Sequence, residues 1–186
     1  MKGAWYDFAV LSLSNLTKRY GKQTALKGVS LTVRHGETIG MLGVSGSGKT
    51  TLASLLTFRL RPTSGDIAWE GTSVYNNLLK YRAHVGFCPQ RPSFEEHLSV
   101  TDTLTLSGRR YGMSQRAIRT RRDELITSFG LAPNASTPAV LLPREQQQCI
   151  AVAASLMHTP TLLILDEPTA GLDPHIRRLI CLALKR

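Results

Sequence analysis

Aromatic residues are scarce in this chain, at 6% of 186 residues. With so few rings, a platform for stacking the bases of single-stranded nucleic acid is not expected. Cysteine is scarcer still: Cys88, Cys149 and Cys181 are scattered, with no C-x-x-C pair among them. That pattern argues against a zinc framework or a disulfide scaffold and fits a reducing compartment. No apolar run approaches the roughly 20 residues a membrane-spanning helix needs. The N-terminal MKGAWYDFAVLSLSN, broken by Asp7, makes a poor secretory signal. The expectation is a cytoplasmic chain with no membrane span of its own, peripheral on a membrane only where a partner holds it. Acidic residues are few as well, 13 against 23 Lys and Arg, for a formal net charge of +10. Such a balance suits nucleic acid, anionic lipid or a phosphate-handling protein, and does not choose among them.

What the chain does have is a glycine-rich stretch, G-M-L-G-V-S-G-S-G-K-T-T, from Gly40 to Thr51. Within it, Gly43 to Thr50 spells G-x-x-x-x-G-K-[ST], the phosphate-binding P-loop pattern. A triphosphate needs a ring of inward-pointing backbone N–H groups. Gly43, Gly46 and Gly48 let the chain curl that tightly around Val44, Ser45 and Ser47. Lys49 is placed to meet the β- and γ-phosphate oxygens, and the Thr50 hydroxyl to ligate Mg²⁺. Thr51 and the apolar spacing that follows predict a helix whose N-terminal end faces the phosphates. Thr38 to Leu42 reads as a short buried strand leading in.

Around this centre the chain reads as α/β. Residues 11–34 alternate in two stretches about a turn at Tyr20-Gly21-Lys22, predicting antiparallel strands. Asp66 to Glu70 and Ala83 to Cys88 read as further strands, the latter ended by Pro89 and followed by Gln90. Residues 92–145 carry no strand signal. Leu98 to Leu106 and Ile118 to Phe129 have helical spacing, so an inserted helical subdomain is expected. Six arginines and no acid lie from Arg109 to Arg122. They read either as a solvated helical face or as a docking surface for an acidic partner, RNA or lipid. Residues 146–158 predict a helix. Thr161 to Leu165 then reads as a buried parallel strand delivering Asp166 and Glu167 to the ligand edge of a sheet. There Asp166 can hold Mg²⁺ through water, and Glu167 can polarise an attacking water. A final amphipathic helix is expected from His175 to the chain end.

With these pieces in order, the chain resembles the ATP-binding cassette (ABC) ATPases, the nucleotide-binding subunits of ABC transporters, from about residue 11 to 186. GVSGSGKTT matches the Walker A loop and LLILDEP the Walker B strand. AGLDP, with Asp173, matches the D-loop. The resemblance implies a P-loop NTPase fold, with a RecA-like parallel core sheet formed by residues 11–91 and 146–186. It implies an N-terminal antiparallel β part and the helical subdomain at 92–145. It assigns Tyr20 to stacking adenine, Gln90 to Mg²⁺ and to sensing a transmembrane partner, and Glu167 to catalysis. The cofactors implied are ATP and Mg²⁺. The partners implied are a permease subunit and a second ATPase subunit, with no nucleic acid. P-loop GTPases fit less well, because no N-K-x-D guanine reader is present.

Two departures qualify the likeness. The family signature, usually LSGGQ, falls at Leu142-Pro143-Arg144-Glu145-Gln146, and only its ends agree. In the family this segment closes on the γ-phosphate held by the opposite subunit. Pro143 has neither hydroxyl nor N–H for that, Arg144 and Glu145 add bulk, and Glu145 adds negative charge. A heterodimer with a subunit carrying an intact signature is therefore the expected arrangement. The family also continues past the D-loop helix into a strand and a switch histidine, and this sequence stops at Arg186. The expectation is a chain of poor stability and feeble hydrolysis by itself, a decayed copy or fragment unless something fills the gap. Two other readings stay open: a non-catalytic ATP-binding or interaction protein, and a soluble ABC ATPase acting on the ribosome or nucleic acid.

Overall fold

A computed structural model describes residues 9–184. The chain forms two compact units that part between Ala83 and His84. In the first, β1 (Ala9–Tyr20) and β2 (Gln23–Arg34) form a long antiparallel hairpin, with Tyr20 opposite Gln23 across the turn. β3 (Ser64–Trp69) pairs with the other edge of β1, and the two-residue β4 (Thr72–Ser73) completes the order β2-β1-β3-β4. The alternation read from the sequence is the cause. Leu11 and Leu13 of β1 and Ile67 of β3 turn inward and are buried, and Leu16 joins them past a register shift in which Asn15 takes φ 48°.

Helix α1 (Lys49–Leu56) lays Leu52, Ala53, Leu55 and Leu56 into the same core. Its last carbonyls find donors. Tyr81 Oη donates to Leu56 O at 2.9 Å, and Thr57 Oγ1 to Ala53 O at 2.9 Å. Tyr81 belongs to α2 (Leu78–Ala83) and meets Phe58 and Trp69 edge-on, with ring centroids 5.4 and 5.6 Å away. Much of the small aromatic complement is thus taken up in packing this unit.

One expected strand is absent. Thr38 to Leu42 joins no ladder among the described residues, and its apolar side chains stand open: Met41 is 42% exposed and Leu42 98%. An apolar extended segment becomes a strand only when another strand satisfies its N–H and C=O groups. No described strand does so here.

The second unit is built on α5 (Arg144–Leu156). Its sequence suggests one apolar side, yet every residue from Gln148 to Ala153 is buried. The helix is enclosed because it has neighbours all round. The parallel pair β5 (Val85–Cys88) and β6 (Leu162–Leu165), α3 (Val100–Arg110) and α6 (Pro174–Leu184) all pack on it. α4 (Gln115–Ser128) packs on α3. The core runs through Val100, Leu104, Ile118, Leu125, Ile150 and Met157.

Tyr111, just past α3, stacks flat on His158, just past α5, with centroids 3.4 Å apart and planes 3° from parallel. Both side chains reach one carbonyl: Tyr111 Oη donates to Val85 O at 3.2 Å, and His158 Nε2 lies 3.2 Å from the same atom. The carbonyl can only accept, so Nε2 carries the proton and the buried Nδ1 is left without a partner. Burial lowers the His158 pKa below its ordinary 6.5, against the opposing pull of the Val85 carbonyl. The unfolded chain therefore takes up more protons than the folded one as pH falls through that region. This site's share of stability is complete above about pH 6.5 and declines below it. We expect His158→Gln to flatten the dependence of the urea midpoint on pH below about 6.5, whereas an unchanged slope would show that other groups govern it.

Candidate nucleotide site

The P-loop follows the expected course. Ser47 N donates to Val44 O at 3.2 Å, closing the turn, and Gly46 and Gly48 sit at φ 82° and 94°. Gly48 is required by space as well as by dihedral, whereas a side chain at Gly43 would meet only that of Ser47. A Cβ at Gly43 would come within 2.6 Å of Ser47 Oγ, and one at Gly48 within 2.7 Å of Ala25 O. Lys49, the first residue of α1, folds back into the loop. Its Nζ donates to Gly43 O at 2.7 Å and to Val44 O at 3.0 Å, and lies 3.5 Å from Ser47 Oγ. An ammonium held only by neutral oxygens at a helix N-terminus is poised to exchange them for phosphate oxygens. The residues present therefore fit a triphosphate. Thr50 and Thr51 follow in the first turn of α1.

Tyr20 lies far from this loop in sequence, at the turn of the β1–β2 hairpin. Gly48 packs on Ala25 and Leu26 of β2, and Leu26 is the ladder partner of Lys18 on β1. β2 thus passes beside Gly48 close to the hairpin turn that carries Tyr20. The ring is 47% exposed, and Lys18 Nζ stands 5.2 Å from its centroid.

Gln90, Asp166 and Glu167 come together in the second unit. The parallel ladder carries both strands to one end: Cys88 pairs with Leu165, and Asp166 N donates to Cys88 O at 3.0 Å. Gln90 and Glu167 then meet, Gln90 Nε2 donating to Glu167 Oε2 at 2.7 Å. Glu167 holds a left-handed backbone, φ 49°, an uncommon state for a residue with a side chain and one that concentrates at functional sites. Asp166 is the only charged side chain among the described buried polar residues. Burial, with the Asp166 charge adding to it, pushes the Cys88 thiol up to about 12. A carboxylate withdrawn from water at a strand end that also carries an amide offers hard oxygen donors. That is the donor chemistry Mg²⁺ takes, so these residues fit the ion.

The segment Leu142–Gln146 opens α5. Pro143 is its N-cap, at φ −54° and ψ 152°, and no side chain caps the first turn. Gln147 Nε2 donates to Val140 O at 3.1 Å and to Leu142 O at 2.9 Å, pinning the turn just before it. Asp173 caps α6, accepting from His175 N at 2.7 Å.

Sequence reasoning missed a groove of about 250 Å³ in the second unit, lined by Phe87, Pro89, Phe94, Leu98, Leu106 and Arg110 among others. Its walls come from residues scattered between 87 and 154, so no local pattern announces it. The one available signal is Phe94, an isolated apolar residue ahead of the helical spacing that starts at Leu98.

The glycine cradle with the lysine seated in it is that of a P-loop nucleotide-binding protein. The profile of the ABC transporter family matches residues 26–170, and the chain belongs to that family. It is 36% identical over 171 residues to the Nod factor export ATP-binding protein I of Ralstonia nicotianae, covering 92% of this chain and 53% of that protein. It is 37% identical over 172 residues to the putative hemin import ATP-binding protein HrtA of Staphylococcus epidermidis, covering 88% of this chain and 77% of that one. Among solved structures, a dimeric bacterial ABC transporter cassette, MJ0796, superposes with a TM-score of 0.86 at 29% identity, over 94% of this chain and 81% of its own. The chain spans about half the length of the Ralstonia relative. No helix among the described residues is long and apolar enough to cross a membrane.

Proposed function

We propose that this chain is the ATP-binding subunit of an ABC transporter, cytoplasmic and peripheral on the inner face of the membrane beside a permease. The observation that carries this reading is the closed glycine loop with Lys49 seated on its own carbonyls at the head of α1. Gly43, Val44, Ser45, Gly46, Ser47 and Gly48 surround the phosphates with backbone N–H groups. Lys49 supplies charge, Tyr20 the adenine face, and Thr50, Asp166 and Gln90 the oxygens for Mg²⁺. Thr51 completes the first turn below. Bound Mg²⁺-ATP supplies an electrophilic terminal phosphate whose developing charge the metal offsets. Glu167 orients the attacking water and accepts its proton, and Gln90 holds the carboxylate in place until substrate arrives. The groove that starts at the strand end carrying Gln90 is the surface we assign to the permease. Residues 92–145 would act as the helical subdomain that presents it.

Replacing the altered signature is left to a second ATPase subunit, which makes a heterodimer the favoured assembly. The reading is tested with Glu167→Gln in the assembled complex. Phosphate release is expected to fall by about two to four orders of magnitude, the range general bases contribute. The affinity for labelled ATP should stay within a few-fold. Equal loss of both would mean that Glu167 holds the nucleotide rather than the water.

A further inference from the structure

Four arginines cluster where α3 turns into α4. Arg109 and Arg110 end α3, Tyr111 and Gly112 make the turn, Ser114 caps α4, and Arg116 and Arg119 follow one helical turn apart. All four are exposed. The two ion pairs described in this region take up their neighbours instead: Arg121 Nη1 lies 2.9 Å from Glu124 and Arg122 Nη2 2.8 Å from Asp123. The nearby acids are thus neutralised by the inner arginines, and the outer four keep their charge. Arg109 and Arg110 suit the negative C-terminal end of α3, but Arg116 stands in the first turn of α4, which has no acid. Positive charge there opposes the helix dipole, so local helix stability does not account for it.

The corner is held rigidly. Tyr111 is stacked on His158 and bonded to Val85 O, Gly112 takes φ 69°, and Ser114 Oγ accepts from Ala117 N at 3.3 Å. We propose that this corner docks on the anionic headgroups of a phospholipid bilayer. The proposal rests on the reading that the chain works beside a membrane partner, and does not depend on nucleotide binding. Arg110 also lines the groove assigned to the permease, so the charges stand next to a surface that reading places at the membrane.

Two other acidic occupants fit less well. Single-stranded RNA is gripped by stacking bases on open rings, and the one aromatic here, Tyr111, has a face covered by His158. A protein interface wants an apolar centre. Between the arginines lie Gly112, Ser114, Gln115 and Ala117, with Ile118 buried, Met113 packed against the core and Tyr111 stacked on His158. A headgroup layer asks only for fixed, closely spaced positive charge, at about fivefold in affinity per arginine near the surface.

The test is flotation of the full chain with vesicles of phosphatidylcholine alone or rich in phosphatidylglycerol, without nucleotide. The wild-type chain should float only with the anionic vesicles, and less so as salt rises. R109Q/R110Q/R116Q/R119Q should weaken binding by about several hundredfold by the same per-arginine estimate. A control of equal charge loss elsewhere, K22Q/K27Q/R177Q/R178Q, should stay within about twofold. Circular dichroism melting of each variant confirms that it is folded. Equal losses in the two variants, no flotation of the wild-type chain, or tighter binding to poly(U) at matched phosphate concentration would each overturn the proposal. Labelled ATP uptake on the same preparations separates the two readings: flotation without uptake sinks the nucleotide site, and uptake without flotation sinks the lipid surface.

Discussion

Lys49→Ala is expected to remove nucleotide binding while leaving the fold in place. Lys49 Nζ now has carbonyls of its own loop as partners, at 2.7 and 3.0 Å. Exchanging these for phosphate oxygens turns charge-to-dipole interactions into charge-to-charge ones, in which both partners are ionised. A hydrogen bond to a charged partner contributes about 1.5–3 kcal/mol, and each 1.4 kcal/mol is tenfold in affinity. Labelled ATP should therefore bind about tenfold to a hundredfold more weakly for each lysine–phosphate hydrogen bond the alanine cannot make. Stability should barely move. Position 49 is the first residue of α1, and alanine is the best helix former. The loop's closure also keeps its backbone bond from Ser47 N to Val44 O. Filter binding and a thermal melt on the same sample decide the matter. Undiminished uptake would mean that ATP, if bound, sits elsewhere, and the functional reading would go with it.

How much of this is legible in the sequence follows from how local each signal is. The β1–β2 hairpin, α1 and the P-loop are readable because alternation, helical spacing and glycine placement are written in adjacent residues. The strand expected at Thr38–Leu42 is not. Its apolar run promises burial, but burial depends on a distant partner, and among the described residues Leu42 remains 98% exposed. Tyr20 shows the converse. Its immediate neighbours suggest an ordinary turn tyrosine, and only the family likeness promotes it. What the fold adds is only the ladder, in which Leu26 lies beside Gly48 and pairs with Lys18. Enclosure of α5 is likewise invisible, since a helix flanked on all sides and one with a single buried face differ in their neighbours more than in their own sequence. The hydrogen bond from Gln90 to Glu167 spans 77 positions and needs the parallel register of β5 and β6 to form.

Restoring the family signature should let the chain pair with itself, which on the reading proposed above its own Leu142–Gln146 does not allow. α5 begins at Arg144 with Pro143 as N-cap and no side chain closing its first turn. The first N–H groups of a helix attract anions, yet here Glu145 sits among them in the first turn. Pro143→Ser with Arg144→Gly and Glu145→Gly removes that charge, returns a hydroxyl and clears the approach. The change costs folding at most about 1 kcal/mol. A serine cap gains about 1 kcal/mol over a residue that cannot cap, and each glycine in the first turn gives back up to about that much. Combined with Glu167→Gln to hold ATP unhydrolysed, the triple variant should run as a dimer on a sizing column when ATP is present. The chain with its own Leu142–Gln146 should stay monomeric under the same conditions, and should dimerise with a related cassette whose signature is intact. An ATP-driven homodimer of the unaltered chain would show that Arg144 does for phosphate what serine and glycine do elsewhere in the family. The altered segment would then be a variant of the site rather than its loss.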